Sequence, residues 1–292
     1  MKGFRWYMIV GCTAVCLATA ASAALRLQCP PDSVLVGDAC IDKHEESVWL
    51  IDPVNNPALV NKVRHGTATL TDLHTGGALA AIQLGAAASC NGPNDYGANF
   101  PPSGNWWPIP GSNPPSPGVY AVSIPGVQPS ACLTWFQATQ ACALSGKRLA
   151  TNQEWQQAAA GTPDPGTDNG TTDCNVDSPL FSNTGSRSNC KSSWGVFDMV
   201  GNLQEWVADW TEVDFLDCTH SGALGLPGSD YICFRGYQGT NDFPRPLTAP
   251  APLVRGGESG DGTGAGVFAV WTGMFPSDHQ DGTGFRCARS AR

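Results

Sequence analysis

The segment Gly195–Trp210, GVFDMVGNLQEWVADW, constrains the chain more than any other. Val196, Phe197, Met199 and Val200 can be buried, while Asp198, Asn202 and Glu205 offer oxygens at a bend that Gly201 permits by accepting positive φ. A turn of this composition can hold a hard cation. Any fold must therefore bury its apolar side chains and leave its carboxylates at the same bend.

The surroundings of that bend are loop-rich. Gly (34) and Pro (23) together make up about a fifth of the 292 residues and charged residues only 14%, which argues for turns and long loops over helix bundles. With 41% hydrophobic residues and 10 Trp the chain can still build the core of one large or two ordinary domains. The expectation is an irregular α+β domain. A formal net charge of −9, with no run of clustered Lys and Arg, argues against a nucleic-acid or anionic-membrane surface and leaves cations, sugars and proteins as partners.

Residues 1–23 read as a secretory signal: Lys2 and Arg5 precede an apolar run from Trp6 to Ala20, followed by Ala21-Ser22-Ala23 as a small-residue cleavage site. That run is too short for a comfortable span and no later segment reaches about 18 apolar residues, so no membrane span is expected. Ile9-Val10-Gly11-Cys12 resembles a bacterial lipoprotein cleavage box, which makes anchoring at Cys12 the lesser alternative to a free secreted or periplasmic protein. Cleavage after Ala23 removes Cys12 and Cys16 and leaves 12 − 2 = 10 cysteines. Their spacings lack the Cys-x-x-Cys units of a zinc site, so up to five disulfides are expected in an exported chain. Connectivity stays open at this stage, with Cys29–Cys40, Cys174–Cys190 and Cys218–Cys233 as the simplest local pairs.

Along the chain, residues 40–51 read as a half-exposed strand with a polar face, His44 and Glu45 being the polar positions with a metal-ligand chemistry of their own. Ala78–Ala88 is weakly helical, and His65 and His74 read as surface residues. Residues 89–129 form a Gly/Pro-rich loop insertion with no expected regular element, anchored by Cys90 and carrying Trp106-Trp107, a pair that could stack on a sugar or pin the loop to a core. A helix is expected from a cap at Ser130 or Thr134 to Gly146. A second begins at Thr151, which forms a capping box with Glu154 and ends near Gly161, after a tight turn over 146–151. Residues 162–193 and 211–253 are loop-dense.

Four blocks carry a family resemblance: Gly146-Lys147-Arg148-Leu149-Ala150-Thr151-Asn152-Gln153-Glu154-Trp155, the 195–210 segment, Val254-Arg255-Gly256-Gly257, and Gly284-Phe285-Arg286-Cys287-Ala288. In this order the chain resembles the sulfatase-modifying-factor family of formylglycine-generating enzymes over about residues 40–290. The resemblance implies one domain over 24–292 with a C-type-lectin-like fold of low regular content. It implies a disulfide between Cys142 and Cys287. It also implies a structural calcium ion with side-chain ligands Asp198 and Glu205 and backbone ligands Gly201 and Leu203. A second calcium site would use Asn175 and the carbonyl of Val176, although its later ligands do not align. Ala150, Asn152 and Gln204 depart from the family pattern at positions that the fold should tolerate.

One departure bears on function. In the family, copper is held by two cysteines between the Gly-Gly block and the final Gly-Phe-Arg-Cys, and here residues 258–283 contain no cysteine. Cu(I) demands soft thiolate ligands, so copper-dependent formylglycine formation is not expected. Nor is there a separate helical domain such as the iron-binding ergothioneine branch carries. The expectation is a non-catalytic, calcium-stabilised binding or structural module for a protein, peptide or glycan ligand, with a groove formed by Trp106, Trp107, Glu258, Asp261 and Trp271. The alternative is an exported enzyme of altered, cysteine-independent chemistry, in which Glu258, Asp261 or His279 acts as acid–base group.

Overall fold

Two threonines decide where the central helices begin. In the computed structural model, which describes residues 27–75, 80–86, 90, 118–164, 168–211, 219–233, 237–238 and 248–292, Thr134 and Thr151 each accept the N–H three residues on. Gln137 and Glu154 return the bond to the cap N–H, completing two capping boxes. In chain order the elements are β1 (Ser33–Val36), β2 (Ala39–Asp42), β3 (Ser47–Ile51), α1 (Pro57–Arg64), α2 (Leu70–His74), β4 (Ile82–Leu84), β5 (Gly118–Val122), α3 (Trp135–Leu144), β6 (Arg148–Leu149), α4 (Asn152–Ala158), β7 (Gln204–Thr211), β8 (Thr219–His220), β9 (Tyr231–Cys233), β10 (Tyr237–Gln238), β11 (Thr248–Ala249), β12 (Ala251–Arg255), β13 (Val270–Trp271), β14 (Thr283–Phe285) and β15 (Cys287–Ser290).

The sheets bring the two ends of the described chain together. A four-stranded sheet in the order β1-β2-β15-β6 pairs Ala288 with Ile41, so the last strand lies beside one of the first. A six-stranded mixed sheet, β14-β7-β12-β13-β9-β8, places β7 between parallel β14 and antiparallel β12. A third sheet, β4-β3-β5, is antiparallel, and β10 pairs with β11.

Of three buried apolar clusters among the described residues, the two larger hold the main core. One joins Trp49, Tyr120, Trp206 and Phe285 to Ala138, Ala141 and Cys142 of α3, and the other gathers Ile41, Trp155, Met199, Val207 and Leu253. Each large side chain so buried contributes roughly 1.5–3 kcal/mol. The indole N–H groups are also used: Trp49 donates to Ser47 Oγ, Trp206 to the Leu133 carbonyl, Trp135 to the Val207 carbonyl and Trp155 to Glu205. A buried aromatic therefore leaves no unsatisfied donor behind.

Covalent ties follow the same layers. Disulfides join Cys29–Cys40, Cys90–Cys132, Cys142–Cys287 and Cys174–Cys190. The pair implied by the family resemblance closes 145 residues of sequence and links α3 to β15. A loop of that size corresponds to roughly 4 kcal/mol or more of removed unfolded-state entropy on the chain-entropy model. Cys233 is also disulfide-bonded; Cys218 lies outside the described residues. These bridges fit an oxidising compartment. Among the described residues no helix is long and apolar enough to cross a membrane.

Several expectations need correction. Residues 43–46 are not a half-exposed strand: His44, Glu45 and Glu46 are buried between β2 and β3, because the chain there passes inward to meet the 198–205 turn and Lys147. The 82–84 part of the weakly helical 78–88 segment is instead the strand β4, recruited by pairing with β3. The Gly/Pro-rich insertion yields β5, since Val119-Tyr120-Ala121-Val122 beyond its prolines is apolar enough to be buried throughout. The 146–151 turn includes β6, which pairs with β15. Helices α1 and α2, which no sequence period signalled, fill part of 53–88.

Candidate functional site

The bend in the 195–210 segment is built from left-handed backbone. Asp198 (φ 58), Gly201 (φ 71) and Asn202 (φ 61) all have positive φ. At Gly201 a Cβ would lie 2.3 Å from the Asn175 carbonyl oxygen, so the close approach as well as the φ requires glycine. Asn202 is held in its strained conformation by tertiary bonds: its Nδ2 donates to Glu45 Oε2 at 2.5 Å, and its Oδ1 accepts from Ser182 N at 2.7 Å and Asn175 Nδ2 at 3.0 Å.

Glu205, the first residue pair of β7 with Gln204, points its carboxylate at a fully buried guanidinium. Arg286 Nη2 donates to Glu205 Oε1 at 2.6 Å and its Nε to Oε2 at 3.2 Å, while Trp155 Nε1 donates to the same Oε2 at 2.8 Å. The remaining Arg286 donors go to the Asp42 and Phe197 carbonyls. Glu45 accepts from Leu203 N, and Asp198 Oδ2 accepts from Gly185 N at 2.7 Å. Asp198 Oδ1 is buried without a partner.

Three buried carboxylates, Glu45, Asp198 and Glu205, thus face one arginine. Burial raises Glu45 well above the usual carboxylate range, with Asp198 and Glu205 adding to it. Burial likewise pushes Asp198 up to about 7, against the opposing pull of the Gly185 N–H and Arg286. His44 packs its ring on Phe197 and is driven down to about 4 by burial, then by Arg286 and Lys43. The second expected ligand set is engaged differently. Asn175 Oδ1 accepts from Arg187 Nη2 at 2.9 Å, and the Val176 carbonyl accepts from Gly262 N at 2.7 Å. Arg187 also pairs with Asp168 at 2.9 Å, so a guanidinium already supplies positive charge there. Among the described residues, Asp42, Glu46 and Cys287 also cluster within 4.8 Å, but the Cys287 sulfur is in a disulfide and the Lys147 ammonium contacts both carboxylates.

The turn carries a cleft on its far side. Backbone bonds tie the turn and the adjacent Val176 to the next loop: Asn202 O accepts from Ser259 N, Val176 O from Gly262 N, and Gly201 N donates to Gly256 O. Gly257 (φ 76) leaves no room for a Cβ, which would meet Ala265 Cα at 2.6 Å. Arg255 stacks on Trp155 at 4.4 Å and donates to the Val267 and Ala269 carbonyls, fixing the other wall. Between them is a cavity of about 280 Å³ where Glu258, Asp261 and Trp271 meet Gln204, Tyr231 and Gln280.

Sequence reasoning placed the first three in the groove; Gln204 was noted only as a departure within the 195–210 segment, and Tyr231 and Gln280 carry no local motif. Glu258 is raised by burial first, then by Asp261 and Asp281. Asp261 Oδ2 accepts the Glu258 N–H at 2.9 Å. Carboxylates, amides and aromatic faces can hold hydroxyl-rich, amide or cationic groups. Among the described residues lining the cavity there is no Cys, Ser, Thr, His or Lys. Trp106 and Trp107 lie outside the described residues.

Behind β13, Asp164 and Asp230 form a carboxyl pair that fixes the cleft wall. Asp164 Oδ2 accepts from Val267 N at 3.0 Å and Asp230 Oδ2 from Phe268 N at 2.6 Å. Burial, then the Asp164 charge, raises Asp230 to about 6. Because the folded-state value is the raised one, the protonated pair stabilises the fold fully below about pH 4, and that contribution is lost as pH rises through about 6. In denaturant titrations at pH 4.5, 5.5 and 6.5, Asp230→Asn should therefore gain stability relative to the unsubstituted chain as pH rises; a difference independent of pH would contradict this.

Comparison with known proteins places the chain. The model of the sulfatase-modifying factor enzyme 1-like domain matches residues 53–291. A formylglycine-generating enzyme of Thermomonospora curvata is 28% identical over 172 residues, covering 47% of this chain and 56% of that protein. Among solved structures, the Major Tropism Determinant U1 variant is 19% identical with a TM-score of 0.42 over 91% of this chain and 54% of its own. PvdO from Pseudomonas aeruginosa is 21% identical with a TM-score of 0.33 over 58% and 67%. The chain spans only about half the length of the curated relative. The architecture is the loop-rich, C-type-lectin-like α+β fold of the formylglycine-generating enzyme type, and the chain belongs to the sulfatase-modifying factor enzyme 1-like family.

Proposed function

We propose that this chain is an exported, non-catalytic binding module of its family, steadied by calcium, which presents the cleft between residues 258 and 271 to a peptide or glycan ligand. The observation that carries this reading is the make-up of the cleft: acids, amides and a half-buried Trp271 converge there, and the segment that frames it is devoid of cysteine. Copper does not fit these residues. All the described cysteines, Cys29, Cys40, Cys90, Cys132, Cys142, Cys174, Cys190, Cys233 and Cys287, are disulfide-bonded, so they offer no thiolate pair. The signal-like pattern read in residues 1–23 and the disulfides support export. The rival reading, an enzyme of altered chemistry, draws support from Glu258 alone, whose raised proton affinity suits a general acid.

The calcium part of the proposal rests on Asp198. Its Oδ1 is a buried, unpartnered hard oxygen beside Glu45 and Glu205, where three carboxylates outnumber one guanidinium. The ion would be held by Asp198 with the Gly201 and Leu203 carbonyls, and by Glu205 if it yields a bond from Arg286 or Trp155. Asn175 and the Val176 carbonyl are already engaged by Arg187 and Gly262, and the proposal is not extended to them.

Two measurements test these statements. Oxygen consumption with copper and a cysteine-containing peptide should stay at the rate of the protein-free control, and sustained turnover would overturn the non-catalytic reading. Calcium should raise the melting temperature of the chelator-treated protein, by about 2.7 kcal/mol of stabilisation at a hundredfold excess over its dissociation constant. Asp198→Asn should remove that increment, and a melt indifferent to calcium in the unsubstituted chain would rule the ion out.

A further inference from the structure

Basic side chains that are scattered in sequence meet in one groove of about 790 Å³, between the end of α1, the turn before β6, residues 28–30 and β15. Arg64, Lys147, Arg148, Arg289 and Arg292 line it, 5 of the 16 Lys and Arg in the chain, together with His65. No Asp or Glu side chain is among the lining residues, in a protein of net charge −9. The groove shares no lining residue with the cleft described above.

Three of these cations are already paired with carboxylates, Arg289 among them through Asp32 at 3.0 Å. Lys147 contacts Asp42 and Asp32, and Arg148 makes a two-pronged pair with Glu154 at 2.7 and 2.5 Å. Arg64 and Arg292 make no ion pair among the described residues, and Arg289 keeps one donor beyond its pair. Arg64 uses Nε on the Leu144 carbonyl at 3.0 Å. Arg289 gives its terminal nitrogens to the Arg64 carbonyl and to Asp32 Oδ2, while its Nε is buried with no partner. Arg292 is exposed and is tied to Gln28 through backbone bonds. A buried N–H without an acceptor is uncommon in a folded protein and marks a place where an acceptor belongs.

We propose that this groove binds a segment of a polyanionic glycan, whose sulfate or carboxylate groups are taken by Arg64, Arg289 and Arg292. The planar guanidinium fork matches both oxyanions with paired hydrogen bonds. The volume exceeds what a single oxyanion fills, and the three arginines come from two separate stretches of chain, the end of α1 and the chain from the end of β15, so the fitting ligand carries several charges. A recessed groove admits a polymer strand, whereas a flat anionic bilayer cannot enter it.

The test uses the full chain, a heparin hexasaccharide as the sulfated probe and an oligogalacturonate as the carboxylated one, with binding followed by calorimetry at low salt and at ~0.5 M NaCl, where screening is nearly complete. At least one probe should bind at low salt, bind about tenfold more weakly to the Arg64→Ala, Arg292→Ala double variant, and be released by the high salt. The double variant should melt like the unsubstituted chain, since both side chains are exposed, and Lys62→Ala, which removes a cation paired with Asp72 outside the groove, should bind normally. Absence of binding by both probes, equal affinity of the double variant, binding only to phosphatidylglycerol vesicles, or tighter binding of a single-stranded oligonucleotide would each overturn the proposal.

Discussion

The contact between Arg286 and Glu205 is the constraint around which the rest of the molecule is arranged. One guanidinium, fully buried between β14 and β15, is bound by the Glu205 carboxylate on β7, by the Phe197 carbonyl on the turn and by the Asp42 carbonyl at the end of β2. Four chain segments therefore have to reach the same point. A buried charge left without its partner costs several kcal/mol, so the packing that brings these segments together is enforced by the electrostatics as well as by apolar burial. The disulfide at the neighbouring residue, Cys287 to Cys142, adds α3 to the same junction.

From that junction the order passes outward to the cleft. The turn that ends at Glu205 presents Asn202 O to Ser259 and Gly201 N to Gly256, and the adjacent Val176 carbonyl holds Gly262. Gln204, next to Glu205, lines the cavity and is fixed by Thr283. The opposite wall hangs on Arg255, which is itself stacked on Trp155, the residue whose indole N–H completes the Glu205 site. The cleft that this framework positions carries acids and amides, with no cysteine among its described lining residues.

The sequence revealed those parts of this arrangement that are local. The capping boxes at Thr134 and Thr151, the disulfides Cys29–Cys40 and Cys174–Cys190, and the positive-φ bend at Gly201 each need only a few neighbouring residues to be recognised. The Cys142–Cys287 bridge came from family resemblance, because nothing in the spacing of 145 residues specifies a pair, and so did the C-type-lectin-like form of a fold whose loop-rich character the Gly and Pro content already signalled. His44, Glu45 and Glu46 were misread because polar residues on a strand normally mark solvent, and only the tertiary structure supplies Asn202, Leu203 and Lys147 as their partners. Tyr231 and Gln280 in the cleft, and Arg64, Arg148, Arg289 and Arg292 in the basic groove, are separated by long stretches of sequence. A search for clustered Lys and Arg along the chain misses a cluster that exists only in three dimensions.

The dependence of the structure on the Arg286–Glu205 contact is open to a double-mutant cycle in urea denaturation, with Glu205→Gln, Arg286→Met and the two combined. Each single substitution strands a buried partner and should cost about 3–5 kcal/mol. Their combined cost should fall short of the sum by at least about 2 kcal/mol, because the double variant buries neither charge. Costs that add to within about 0.5 kcal/mol would show that the two side chains act independently, and would contradict the central place given to their contact.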